Sequence, residues 1–426
     1  MALLGQIRSL TRTQRNTFFA CFLGWTLDAF DFFLLTVCLR AIAADFHVGI
    51  KQVAEAIFWT LVMRPVGALL FGAMAERFGR QPTLIVNVIA FSVFELGSAF
   101  APGMKSFLVW RALFGIAMGG EWGVASALTF ETLPAEARGF FSGLLQEGYV
   151  CGNLLSAALY GLLFSHLHGT GMLTPWRVMF MIGALPALLA FYLRLHVKES
   201  PAWLESRELR RTDDTDSQPT KPSTLSFASL VTFLPSFLFI IVLMTAFTSF
   251  SHGTQDLYPT FLEKDNALSP GRVGTVLVIA NFGALFGGIC FGTLSERIGR
   301  RKAIIWAALL AIPMMPLWSW SHSVAALAAG GFLLQFMVQG AWGVIPAHLN
   351  ELSPGPVRAV FPGLAYQLGN LFSSRNSVFQ AAYANAFSGG MLRAALSGTV
   401  VVVALLVAGI TALGPEAKGS DLSTRG

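Results

Sequence analysis

Long apolar runs recur from one end of this chain to the other. Crossing about 30 Å of hydrocarbon as a helix takes roughly 20 such residues, and a helix satisfies its own backbone hydrogen bonds where no water can. The runs fall at about 17–40, 54–75, 83–101, 106–131, 139–165 and 174–196, then 228–258, 271–294, 302–320, 323–349, 357–386 and 391–413. Of the 426 residues, 54% are hydrophobic and only 12% charged, half the roughly 25% that a soluble surface needs. The expected fold is an all-α membrane protein with twelve transmembrane helices.

The first run follows Arg8, Arg12 and Arg15 as a secretory leader would, but its length and its two aspartates mark a retained first helix. A polar stretch from Val197 to Ser226 separates the sixth and seventh runs and reads as a linker, part amphipathic and part disordered. This divides the chain into a bundle over 1–196, a cytoplasmic linker over 197–227, and a bundle with a short tail over 228–426. With both termini cytoplasmic, 19 of the 29 lysines and arginines fall on the inside, the bias that orients helical membrane proteins. The same bias accounts for the net charge of +6 without a nucleic-acid partner. Cys21, Cys38, Cys151 and Cys290 lie in apolar runs with no metal or disulfide spacing and read as packing residues. No nucleophile–base motif, nucleotide loop or metal-ligand cluster suggests an enzyme, a cofactor or a metal.

An internal repeat organises the twelve runs. The segment from Gly72 to Arg80, with Glu76, Arg77 and Gly79, recurs from Gly292 to Arg300, with Glu296, Arg297 and Gly299, 220 residues later. Trp122-Gly123-Val124 recurs as Trp342-Gly343-Val344, and Glu131, Pro134, Arg138 and Gly143 recur as Glu351, Pro354, Arg358 and Gly363, all at the offset of 220. A constant register across separate segments implies two homologous six-helix bundles in parallel orientation, with a site near the midplane between them. The duplicated G-x-x-x-[DE]-R-x-G-R loops resemble the signature of the major facilitator superfamily, and Arg111-Ala-Leu-Phe-Gly115 resembles its fourth-helix motif. That resemblance implies the pseudo-symmetric fold and gives Gly72, Glu76, Arg77, Gly79, Arg80, Arg111, Glu131, Arg138, Gly292, Glu296, Arg297, Arg300, Glu351 and Arg358 a gating role. Physically, the loop glycines admit close helix approach, and the arginines can bond helix C-termini and acidic partners.

Ionisable residues inside spanning helices are costly and by default functional. Asp28 and Asp31, three apart, share one face of the first helix. They read either as proton carriers or as a structural pair satisfied by helix ends, Arg64 or Arg111. Arg64 offers a planar fork to a substrate carboxylate, or a salt bridge to those aspartates. Thr248, His252 and Asp256 form one polar stripe on the seventh helix, where Gly253 and Pro259 weaken the helix. At the 220 offset Thr248 falls on Asp28 and Gln367 on Glu147. Glu95, Glu121 and Glu147 complete the buried acids, and Arg375 has no evident role. Trp25, Tyr258 and Tyr366 are candidate cavity walls.

The seventh-helix segment Thr248-Ser-Phe-Ser251-His252-Gly-Thr254-Gln255-Asp256-Leu-Tyr258-Pro-Thr260 is similar to the signature N-x-x-[ST]-H-x-[ST]-Q-D-x-x-x-T of Jen-type monocarboxylate/proton symporters, which belong with the sialate/proton symporters. Thr248 replaces the Asn. Similar segments include Gly24-Trp25-Thr26-Leu27-Asp28, Arg64-Pro65-Val66-Gly67, Gly119-Gly120-Glu121-Trp122-Gly123 and Tyr366-Gln367-Leu368-Gly369-Asn370. The resemblance implies a proton-coupled importer of small carboxylates such as lactate, pyruvate or acetate, monomeric and set in the plasma (inner) membrane. A sialic or sugar acid, another organic anion, or export stay open as alternatives. The expected substrate contacts are Arg64, His252, Gln255, Tyr366, Gln367 and Asn370. The expected proton-coupling residues are Asp28, Asp31, Glu121, Glu147 and Asp256.

Overall fold

A computed structural model describes residues 10–167, 169, 171–185, 187–216, 227–387, 391–420 and 422, and among these every regular element is a helix. The first four crossings are single helices: α1 (Arg12–Asp45), α2 (Ile50–Phe78), α3 (Arg80–Ala99) and α4 (Met104–Thr132). The fifth is split into α5 (Arg138–Gln146) and α6 (Gly148–Leu163), the sixth into α7 (Pro175–Gly183) and α8 (Ala187–His196). After the linker helix α9 (Pro201–Asp216), the second half begins with α10 (Phe227–Gln255) and a short α11 (Tyr258–Lys264). Then come α12 (Pro270–Ile298), α13 (Arg300–Ala311) with α14 (Met315–Trp318), and α15 (Val324–Leu352). The eleventh crossing is split into α16 (Phe361–Ser373) and α17 (Asn376–Phe387), and α18 (Arg393–Leu413) is the twelfth.

Nine spans among the described residues are long and apolar enough to cross a membrane unaided. The fifth, sixth and eleventh crossings fall short because each is interrupted, and with them the count reaches twelve. Three runs that look continuous in sequence are therefore broken helices, and the seventh breaks after Gln255 rather than continuing to 258. Of the linker, Pro201–Asp216 is helical, while 217–226 lie outside the described residues. The first helix starts earlier than its apolar run because Thr11 caps it. Thr11 Oγ1 accepts from Gln14 N at 3.3 Å and Thr11 N donates to Gln14 Oε1 at 3.0 Å. Outer faces carry exposed apolar side chains, including Val66, Leu69 and Leu70 on α2 and Phe282 and Phe286 on α12, as a lipid-facing surface requires. The protein is a multi-pass membrane protein.

Helix packing repeats at the same offset as the sequence. On α2 a Cβ at Gly67 would overlap the Ile116 carbonyl of α4, and on α12 a Cβ at Gly287 would overlap the Phe336 carbonyl of α15. Small residues bring backbones together where lipid offers no hydrophobic drive. A Gly67→Leu substitution should therefore lower the melting temperature in detergent, costing about 1–3 kcal/mol or more for overpacking. Gly274, with nothing within 4 Å of its would-be Cβ, should accept alanine with no measurable change. The turns from α2 to α3 and from α12 to α13 pass through Gly79 at φ 108° and Gly299 at φ 97°, backbone that only glycine enters without strain.

Candidate functional site

The two halves join at the end of the bundle that carries the duplicated loops. There α5 packs on α12 and α15, and α16 packs on α2 and α4, while α6 and α17 pack within their own halves. Gly123 and Gly363 come so close that a Cβ on either would lie 3.0 Å from the other's Cα.

Charged side chains tie this end shut twice, in equivalent ways. Arg80 donates to Glu131 at 3.1 Å and pairs with Glu76 at 2.9 Å. Arg300 donates to Glu351 at 2.9 and 3.0 Å and pairs with Glu296 at 3.2 Å. Each loop glutamate then crosses to the opposite half: Glu76 accepts from Ala359 N at 2.8 Å, and Glu296 accepts from Gly139 N. These acceptors sit where α16 and α5 begin, next to helix N-terminal dipoles that favour an anion. Arg358 reaches Glu131 at 3.5 Å and the Leu422 carbonyl at 2.6 Å. Arg138 donates to the Phe130 carbonyl at 3.2 Å and the Ser420 carbonyl at 2.9 Å.

Sequence gave no warning of two capping glutamates at this end. Glu199 accepts from Arg80 N at 2.9 Å, and Glu416 accepts from Arg300 N at 3.2 Å and Arg301 N at 3.0 Å. Burial pushes the Glu199 carboxyl above its ordinary value, and N–H donors from Ser200, Arg80 and Gln81 partly offset that. Arg77 and Arg297, expected in the gate, are instead exposed. Arg111, expected with them, lies inside the first half, where its guanidinium pairs with Glu95 and both side chains are fully buried. The two residues sit on neighbouring crossings, so chain spacing alone could not pair them.

His252 near the end of α10 and Asp256 just beyond it pair at 3.1 Å with side chains 43% and 36% exposed, although they lie in a spanning segment. Below them is a floor of aromatic rings. Tyr366 of α16 packs on Trp122 at 4.9 Å, Trp342 at 5.6 Å and Trp25 at 6.4 Å between ring centres. Trp122 and Trp342 are equivalent at the 220 offset, so the repeat converges on one tyrosine. Tyr149 of α6 stacks on Trp25 at 5.8 Å. Tyr258, expected as a cavity wall, is buried instead in the second half. It stacks on Trp318 at 4.8 Å and donates to the Trp318 carbonyl at 3.2 Å, because the break after Gln255 turns it away from α10.

Arg64 of α2 sits at this floor, 4% exposed, with Nε and Nη2 buried and without a hydrogen-bond partner among the described residues. It interacts electrostatically with Asp28, Tyr149, Tyr366 and His252. Asn370 lies beside both His252 and Tyr366 and donates to Gln367 Oε1 at 3.3 Å. Gln367 Nε2 is buried and has no hydrogen-bond partner among the described residues. Gln255, expected among these contacts, is engaged elsewhere: its amide donates to Gln335 Oε1 at 3.0 Å, and Gln335 donates to Thr254 at 3.1 Å. Gln335 was invisible in sequence because a lone polar residue in an apolar run shows no partner. Arg375 is exposed at the break between α16 and α17.

Behind Arg64 lies an acidic cluster. Asp28, Asp31, Glu95 and Glu121 are each fully buried. Asp28 faces Arg64, Arg111 and Glu95; Glu121 faces Asp28; Asp31 faces Glu95, Asp28 and Arg111. The carboxylates of Asp28, Asp31 and Glu121 have no hydrogen-bond partner among the described residues. Four carboxyls therefore share two guanidiniums. Such a cluster can hold an anion at Arg64 and take up protons at the surplus acids.

Comparison with known proteins agrees with this architecture. Residues 17–223 and 228–418 match the sugar (and other) transporter family. The chain is 30% identical to a carboxylic acid transporter protein homolog of Saccharomyces cerevisiae, over 90% of this chain and 63% of that protein. It is 28% identical to a probable 4-methylmuconolactone transporter of Cupriavidus pinatubonensis, over 97% of this chain and 93% of that one. It is 29% identical to the sialic acid transporter NanX of Escherichia coli, over 84% of each. The fold is similar to that of the proton:xylose symporter XylE bound to 6-bromo-6-deoxy-D-glucose, with TM-score 0.75 and 20% identity over 96% of this chain and 98% of that one. The chain is thus a transporter rather than an enzyme, and it belongs to the sugar (and other) transporter family of the major facilitator superfamily.

Proposed function

We propose that this chain is a proton-coupled symporter importing small carboxylates of the lactate, pyruvate or acetate class across the plasma membrane, with both termini cytoplasmic. The observation that carries the reading is Arg64, a buried guanidinium whose Nε and Nη2 have no partner among the described residues, set beside the aromatic cluster and His252. Its fork matches a carboxylate bidentately. His252 and Asn370 stand where they can hydrogen-bond the second oxygen or a neighbouring hydroxyl. Relatives named for carboxylic acid, muconate and sialic acid transport support an organic acid as the cargo. The sialic acid relative also supports a second reading, a sugar acid or other bulkier organic anion.

In this mechanism the loops face the cytoplasm and the cavity opens outward. A proton from outside loads Asp28 or a neighbouring acid, removing negative charge that faces Arg64. The substrate anion then docks on Arg64 and neutralises it. With fewer uncompensated charges to desolvate, the halves rock about the aromatic floor and release anion and proton inside. Asp28→Asn should then abolish concentrative uptake while counterflow exchange of labelled for unlabelled substrate persists. Accumulation above equilibrium by that variant would remove Asp28 as the obligatory proton site. Thermal stabilisation by a panel of organic acids tests the cargo. A response to short monocarboxylates is expected, whereas a response confined to sugar acids would favour the second reading.

A further inference from the structure

Glu147 lies in the link between α5 and α6, apart from the acids around Arg64. Its side chain is 2% exposed, and neither carboxyl oxygen has a hydrogen-bond partner among the described residues. It also does not stay in its own half. Oε1 fills the space that a Cβ would take at Gly288 of α12, and the Gln339 carbonyl of α15 borders the same space. Glu147 therefore lies in the seam where the two halves join, one layer inside the contact of Gly143 with Gly288.

Among the described residues, no charged group faces Glu147 from the elements packed around it. Around the link, α5 packs on α12, α15 and α1, and α6 packs on α1. On α1, Asp28 and Asp31 face Arg64, Glu95 and Arg111. On α12, Glu296 is held at the loop by Arg300; on α15, Glu351 is held by Arg300, and His348 faces Glu416, Arg300 and Arg301. Arg272 and Arg297 of α12 are exposed. Among the described residues, the titratable group found beside Glu147 is the Cys151 thiol of its own crossing. An anionic carboxylate held there has neither a counter-charge nor a donor, and burial of such an anion is strongly unfavourable. The acid form carries its own O–H and can donate to a main-chain carbonyl in the seam. At the 220 offset the second half places Gln367, an amide with no proton to exchange.

Resting on the reading of this chain as a proton-coupled symporter, we propose that Glu147 is a proton-binding site that gates the seam. It holds a proton while the loop end is closed and yields it to the cytoplasm when α12 moves away and water enters. Proton release is thereby tied to opening of the seam itself, separately from the acids around Arg64.

The test uses the full-length purified protein, without substrate, in a background whose native cysteines are replaced. Spin labels at Glu136→Cys and Lys302→Cys, both exposed at the loop end, report its opening by distance measurement. In the parent, the open population should rise at least about threefold between about pH 5.5 and about pH 8, as a modest population shift allows. Glu147→Gln should stay closed at both values. Glu147→Ala serves as a second variant and should also lose the pH response. Persistence of the parent response in both Glu147 variants overturns the proposal. Because no substrate is present, failure of the carboxylate reading would leave these outcomes intact, and loss of gradient-driven uptake is read in a separate experiment.

Discussion

Replacing Arg64 with alanine is expected to reduce carboxylate uptake about 100-fold or more, with little loss of folded protein. Truncating one partner of a buried, hydrogen-bonded charge pair costs about 2–5 kcal/mol, and in the proposed loaded state the substrate is that partner. The guanidinium has two buried nitrogens without acceptors, so its removal strands no protein acceptor except the carboxylate of Asp28. That residue faces Arg64 electrostatically, and the substitution should therefore also change the pH profile of whatever uptake survives. Arg64→Lys separates charge from geometry. An ammonium keeps the positive charge but loses the planar fork, so binding should weaken by about tenfold, an intermediate loss. Measured uptake and substrate-induced thermal stabilisation should fall together. Equal uptake by the parent and Arg64→Ala would remove Arg64 from the binding role.

The largest expected effect on stability belongs to a different arginine. Arg111 and Glu95 pair with both side chains inaccessible to solvent, and the guanidinium also lies 4.1 Å from the Phe114 ring centre. Breaking such a pair by removing one partner costs about 3–5 kcal/mol, because the other charge is left buried and uncompensated. Arg111→Met should therefore sharply lower the melting temperature and the yield of folded protein. Replacing both members, Arg111→Met with Glu95→Gln, should recover much of that loss, since apolar or neutral isosteres of a buried pair are often close to neutral. A single variant as stable as the double would show that the pair contributes nothing as a pair.

The architecture was legible because its two signals are one-dimensional. Runs of apolar residues report crossings, and the offset of 220 that aligns Glu76 with Glu296 and Glu131 with Glu351 reports a repeat. The structure adds that contacts obey the same register, as when Glu76 reaches Ala359 and Glu296 reaches Gly139. What sequence could not supply is which helices touch. Arg111 resembles a gate residue by motif, yet its partner is Glu95 on the preceding crossing. Tyr258 sits within the polar signature of the seventh helix, yet the break after Gln255 sends it into the second half against Trp318. Gln335 and Tyr149 carried no local pattern at all. Periodicity fixes which residues share a face, but pairing across helices depends on rotation and tilt, which packing decides.

The central claim is that protons and a small carboxylate move inward together. Its most direct test is uptake of labelled lactate into proteoliposomes holding the purified protein, with an inward proton gradient and the membrane potential clamped at zero. The account predicts accumulation above the external concentration, loss of that accumulation when a protonophore is added, and alkalinisation of the outer medium as lactate enters. Uptake that merely equilibrates, at the same rate with or without the gradient, would contradict it.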